Sequence, residues 1–174
     1  IFIRKSSENI HIFEVIFFRN LLACIILVPL MYSSGLASFK MHRPGLFVWR
    51  AIFVSIGMFA GFSALTLIPL AQATAISFTT PIFVTILAIF IFGEVIKLRR
   101  IAAILVGFIG MLVIVQPGGE VISFGIILAF IGAFFHSLNL LTVKKLTAYE
   151  TANSIIVWMV IMLVPISFIP AIFV

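Results

Sequence analysis

The polar residues that could do chemistry in this chain sit inside apolar runs. Ser77, Thr79, Thr80 and Pro81 interrupt the middle of Leu67–Arg100, LIPLAQATAISFTTPIFVTILAIFIFGEVIKLRR. Proline lacks the N–H that would bond the carbonyl four residues earlier, here that of Ser77, and it kinks the axis. In lipid, a backbone group released in this way is tolerated where it meets protein or a water-filled cavity. Ser77, Thr80 and Val84 follow helical spacing, which predicts that the two hydroxyls share a face. Two uses fit the patch. It can line a solute cavity at mid-membrane, where discontinuous helices place substrate and ion contacts. It can also be a structural kink whose hydroxyls satisfy the freed carbonyl.

Three further sites carry charge or titrate. Arg19 lies several residues inside an apolar run, and a cation at the centre of a membrane helix costs about 2.5–3.5 kcal/mol on insertion scales. Arg19 either faces an outward vestibule, attracting anionic or carboxylate groups, or snorkels to the interface as an anchor. Glu94 follows Gly93 at the end of its run, where a carboxylate opposes the helix dipole. Lys97, Arg99 and Arg100 are at hand to compensate it. This favours a structural ion-pair cluster over a proton-coupling site. His136, Ser137, Asn139 and Thr142 form a second polar insertion, with His136 and Asn139 three apart on one face. Histidine titrates near neutral pH, so His136 is the embedded group suited to carrying a proton. The plainer reading of His136 and Asn139 is interhelical hydrogen bonding.

The elements that position these residues follow from composition. Of 174 residues, 64% are hydrophobic and 9% charged, with a mean hydropathy of +1.37. Soluble domains are about 45–50% apolar and roughly 25% charged, so disorder and a soluble domain are excluded. Crossing the hydrocarbon core takes about 20 apolar residues. Six segments meet that need: 12–32, 47–67, 71–92, 101–115, 123–143 and 154–174. The predicted fold is all-α, a polytopic transmembrane bundle. Ile68-Pro69-Leu70 and Gln72 divide the second span from the third.

Basic residues cluster at alternate connections: Lys40, Arg43 and Arg50, then Lys97, Arg99 and Arg100, then Lys144 and Lys145. The connections between them, at 68–70 and 116–120, carry none, which places the basic loops in the cytoplasm. The net charge of +6 therefore reads as orientation signals rather than as a nucleic-acid surface. Gly57 and Gly61 with Ala60 and Ala64 form a small-residue strip, as do Gly125, Ala129, Gly132 and Ala133. Gly107 and Gly110 suggest a third; such strips let membrane helices approach closely.

An enzyme is not expected. The chain has no Asp, and His11 and His42 flank opposite membrane faces. No metal-binding spacing, nucleophile–base pair or phosphate-binding loop occurs. No cofactor is expected, and the lone Cys24 reads as a small hydrophobe. The chain opens at Ile1 and ends in an apolar run, SFIPAIFV, from which a fragment or a truncated gene product is expected.

From Leu65, LTLIPLAQATAISFTTPIFVTILAIFIFGE is followed by a basic loop and GFIGMLVIVQPG. Over about Phe13–Gly118 this resembles the EamA domain of the drug/metabolite transporter superfamily, and FEVIFFRN resembles the opening of that domain's second helix. The opening segment is also similar to S-adenosylmethionine uptake carriers of intracellular bacteria. The resemblance implies ten helices in two inverted five-helix repeats. Residues 1–118 would be helices two to five of the first repeat, and residues 119–174 two helices of the second. It implies a secondary transporter of the cytoplasmic (bacterial inner) membrane that moves a small polar metabolite by alternating access. Ser77, Thr80, Pro81, Arg19, His136 and Asn139 are the expected substrate contacts. The expected partners are a small-molecule substrate, the lipid bilayer, and either a second copy of the chain as a homodimer or the missing helices of the same carrier. The competing reading is a non-transporting membrane subunit or a degenerate transporter remnant.

Overall fold

The computed structural model describes residues 12–33, 41–93, 98–115 and 123–172. The expected Glu94–Lys97 cluster, Lys40 and the 116–120 connection lie outside the described residues. The described elements are all α-helices: α1 (Ile12–Ser33), α2 (Pro44–Leu67), α3 (Leu70–Ser77), α4 (Thr80–Phe92), α5 (Leu98–Val115), α6 (Phe124–Leu146) and α7 (Ala152–Ile172). Among the described residues, four segments are long and apolar enough to cross a membrane: Pro44–Leu67, Leu70–Phe92, Phe124–Leu146 and Ala152–Ile169. The 22 residues of α1 rise about 33 Å at 1.5 Å each.

Many large apolar side chains face outward. On α1 the exposed face is Phe18, Leu22, Ile25 and Ile26, whereas Ile16 and the polar Asn20 are buried. On α6 and α7 the fully buried positions include Ser137, Ser154 and Ser167, while Phe124, Ile127, Phe168 and Ile169 are exposed. The Ser137 and Ser167 hydroxyls donate to carbonyls of their own helices, at Phe134 and Leu163. A helix with apolar residues outward and self-satisfied hydroxyls inward suits lipid on the outside. The chain is a multi-pass membrane protein.

The helices form two compact units, Ile56–Leu141 and Phe2–Ser55 with Thr142–Val174. In the first, Ala64, Ile68, Ile76 and Ala129 form the core, with Ala73, Ile126 and Leu128 packed against it. Here α3 packs on α5, and the crossing of α2 over α6 is made by glycine. A Cβ built on Gly132 would lie 3.1 Å from both Cα and N of Gly61, and one on Gly57 would lie 3.3 Å from the backbone N of His136. A Cβ on Gly125 would come within 2.8 Å of Leu67 and 2.7 Å of Ile68. Two of the expected small-residue strips therefore meet each other. The third does not behave as expected, since a Cβ on Gly107 or Gly110 meets nothing within 4 Å.

In the second unit, Phe47, Leu146 and Ile155 form a core joined by Met41, Leu46, Trp158 and Met162. There α1 packs along α7, with the Phe17 and Phe168 rings 5.2 Å apart.

Helix α4 stops where the sequence expects. Gly93 adopts the left-handed conformation (φ 64°) and its N–H bonds the Ile89 carbonyl at 2.9 Å. Glycine enters this region without the steric penalty of a Cβ. Gly93→Val is expected to cost about 1–2 kcal/mol, measured as a lower thermal unfolding midpoint in detergent.

Candidate functional site

In the unit Ile56–Leu141 the polar interruption is a break between two helices rather than a kink in one. Helix α3 ends at Ser77, and Phe78 and Thr79 form a turn. Their N–H groups bond Ala75 and Ile76 carbonyls three residues back. Helix α4 then begins at Thr80, which places Pro81 in its first turn. There no intrahelical N–H bond exists for proline to remove, and its fixed φ suits the helix start. The local hydroxyls turn onto the backbone: Ser77 Oγ donates to Thr74 O at 2.6 Å and Thr79 Oγ1 to Ile76 O at 2.7 Å. Four residues after Pro81, Thr85 is 5% exposed, and its hydroxyl has no hydrogen-bond partner among the described residues. Phe83 packs edge-on to Phe134, with ring centroids 5.5 Å apart.

In the other unit, an open cavity of about 280 Å³ lies between α1 and α7, lined by Arg19, Asn20, Ala23, Met159, Val160 and Leu163. The two helices run antiparallel, because Phe17 meets Phe168 while residues 19–23 meet residues 159–163. Arg19 Nη2 donates to Asn20 Oδ1 at 3.1 Å, and Asn20 is 4% exposed. Met159 has a second cation behind it. Arg50 of α2 is 7% exposed; its Nη1 donates to the Ile155 carbonyl at 2.8 Å and its Nη2 lies 3.0 Å from Met159 Sδ. Two guanidinium groups thus flank one stretch of α7. Charged side chains within membrane helices are rare, and those that face a cavity mark solute pathways.

The same unit holds a carboxylate at its loop end. Glu150, with a side chain 2% exposed, accepts the backbone N–H groups of His42 and Arg43 at 2.6 and 3.2 Å. Its second oxygen lies 3.2 Å from His42 Nδ1. Burial pushes the Glu150 carboxyl up, but these bonds and the His42 charge outweigh it and hold the group below the ordinary carboxylate value. The Arg43 guanidinium lies 4.9 Å from the centre of the Tyr149 ring, within cation–π range.

Residues 1–116 match the EamA-like transporter family. The chain belongs to that family. It is 32% identical over 161 residues to the S-adenosylmethionine uptake transporter of Rickettsia prowazekii (strain Madrid E), covering 92% of this chain and 55% of that protein. To the S-adenosylmethionine uptake transporter of Rickettsia felis it is 36% identical over 114 residues, 66% of this chain and 39% of the relative. To the riboflavin transporter of Rhizobium johnstonii it is 31% identical over 140 residues, 80% of this chain and 46% of the relative. The chain spans about half the length of these curated relatives. No solved structure matches it.

The six expected contacts of this EamA-like chain fall in different units. Ser77, Thr80, Pro81, His136 and Asn139 belong to Ile56–Leu141, and Arg19 to the other. Ser77 and Pro81 are exposed and Thr80 is buried, so the predicted shared face is lost. Phe78 and Thr79 keep right-handed φ/ψ, so the difference lies in packing, which covers Thr80 and leaves Ser77 exposed. His136 is exposed and Asn139 half-buried. Arg19 lines the α1–α7 cavity. Its neighbours there, Asn20 and Met159, and the flanking Arg50 were not picked out in the sequence. Arg50 grouped with the basic loop, yet the structure buries it inside α2.

Proposed function

We propose that this EamA-like chain forms part of a secondary transporter that moves a small polar metabolite across the cytoplasmic membrane by alternating access. The observation that carries the proposal is the α1–α7 cavity, in which Arg19 and Asn20 stand against Ala23, Met159, Val160 and Leu163. Small-molecule sites are mostly apolar with a few placed polar groups, and this lining has that character. The break between α3 and α4 supports the same reading, since carriers place irregular backbone beside their solute route. The names of the relatives are transporter names, which supports a carrier over an enzyme. The basic loops around Arg43 and Lys144–Lys145 support a cytoplasmic-side placement for those connections. A homodimer, or further helices of the same carrier, would complete the partner set. Residues 1–118 and 119–174 would then be parts of successive repeats.

Reconstitution of the full-length protein into liposomes tests the proposal. S-adenosylmethionine and riboflavin, named for the relatives, head a panel of labelled metabolites for uptake and export. Saturable flux of at least one compound, above that of protein-free liposomes, is expected. No flux across the panel would favour the non-transporting membrane subunit instead.

A further inference from the structure

The cavity has a chemical polarity that narrows what it can hold. One side presents the Arg19 guanidinium, steered by its bond to Asn20 Oδ1. The other side is Met159, Val160 and Leu163 of α7, with Ala23 of α1 between them. None of the six lining residues is acidic. Behind the Met159 wall, Arg50 fixes the thioether at 3.0 Å and the Ile155 carbonyl at 2.8 Å, and it adds its own positive charge to the same wall. Charge effects strengthen as dielectric falls, so in a membrane interior a guanidinium lining the cavity, with a second one beyond Met159, favours an anion.

We infer that the α1–α7 cavity is a subsite for the carboxylate of an amphipathic metabolite, gripped by Arg19 and Asn20, with Arg50 setting the position of Met159. The planar guanidinium fork matches a carboxylate in a way that an ammonium does not. The apolar remainder of the ligand lies against Ala23, Val160 and Leu163. At about 280 Å³ the cavity stands near the lower end of small-ligand sites, roughly 300–1,000 Å³. It therefore receives one end of a larger molecule or the whole of a small one. The inference rests on the carrier reading for its route across the membrane, but binding can be measured without flux.

Two anion sources share this chemistry, a metabolite carboxylate and the phosphate of an anionic lipid headgroup, and the proposal commits to the metabolite. The test measures ligand-induced thermal stabilisation of the full-length protein in neutral detergent. One probe pair is S-adenosylmethionine and 5′-methylthioadenosine, which keeps the nucleoside and lacks the carboxylate together with the ammonium and the sulfonium charge, so the acids tested beside it isolate the carboxylate. A panel of amino and dicarboxylic acids accompanies it, and phosphatidylglycerol and phosphatidylcholine are added in separate arms. At least one carboxylate is expected to bind. Arg19→Gln should weaken it by about tenfold or more, as loss of a charge-assisted hydrogen bond implies. Arg19→Lys, which keeps the charge and loses the fork, should recover part of the affinity and guards against a variant that merely misfolds. Binding of uncharged probes should not change.

Failure of every carboxylate to bind overturns the inference. Equal weakening of charged and uncharged probes by Arg19→Gln also overturns it, as does Arg19-dependence confined to phosphatidylglycerol. Arg19-dependent carboxylate binding without flux in liposomes would uphold the subsite and reject the carrier. Flux of uncharged compounds that is indifferent to Arg19 would do the reverse.

Discussion

Gly132→Leu is expected to prevent the unit Ile56–Leu141 from assembling, seen as loss of monodisperse protein in detergent and a steep fall in thermal midpoint. A Cβ at Gly132 already lies 3.1 Å from Gly61 Cα and N and 3.4 Å from the Gly57 carbonyl oxygen. All three are backbone atoms, so no side chain can rotate away and α2 itself must move. Even modest overpacking costs about 1–3 kcal/mol, and a leucine adds three further carbons in the same direction. The control is Gly107→Ala, whose Cβ meets nothing within 4 Å. There alanine only removes glycine's helix penalty, about 1 kcal/mol, and the protein should become slightly more stable. The two glycines occupy equally apolar helices, so opposite signs for Gly132→Ala and Gly107→Ala isolate the contact. Shifts of the same sign would end the packing argument.

That pair shows what sequence can and cannot give. Glycine spacing locates a face, but the face is informative only where another helix meets it. Gly57, Gly61 and Gly132 find each other, whereas Gly107 and Gly110 find no neighbour among the described residues. Four of the six expected spans, 47–67, 71–92, 123–143 and 154–174, and the break at Ile68-Pro69 were readable because lipid demands long apolar runs and proline marks where they stop. The helices over 12–32 and 101–115 are not among the described segments long and apolar enough to cross. The position of the break at Pro81 was readable too, but its form was not. A proline four residues after Ser77 is compatible with a kinked helix or with a new helix start. The turn bonds at Phe78 and Thr79 decide for the second. Arg50 falls within the expected span 47–67 although its charge groups it with the basic loop. Proline favours the first helical position, and with the helix starting at Pro44 Arg50 stands about two turns in.

These corrections move the weight of the candidate site. The hydroxyls of Ser77 and Thr79 are engaged with carbonyls of their own turn, so they stabilise the break. Charge that could select a solute is on α1 and α2 instead, at Arg19 and Arg50, with Asn20 and Met159 as its immediate surroundings. A buried amide or thioether is silent in a sequence because Asn beside Arg, or Met in an apolar run, has many ordinary uses. Only the antiparallel pairing of α1 with α7 brings them together.

Glu150→Gln should lower the thermal midpoint at neutral pH, and the deficit should shrink on acidification until variant and wild type converge. The carboxylate receives the N–H groups of His42 and Arg43 immediately before Pro44, the first residue of α2. Orphan donors and the positive end of the helix dipole make this a favourable place for negative charge. Because the folded-state value lies below the unfolded one, the stabilisation is complete above the unfolded carboxyl range, about pH 4.3. It is lost as pH falls through the folded value. Hydrogen bonds to a charged acceptor contribute about 1.5–3 kcal/mol, which sets the size of the neutral-pH deficit. Glutamine keeps one oxygen acceptor and so tests the charge, while Glu150→Ala also strands both N–H groups and should be worse. His42→Ala leaves the two backbone bonds in place and should cost less than either. A Glu150→Gln deficit that persists unchanged at pH 3.5 would show that shape, and not ionisation, makes this contact.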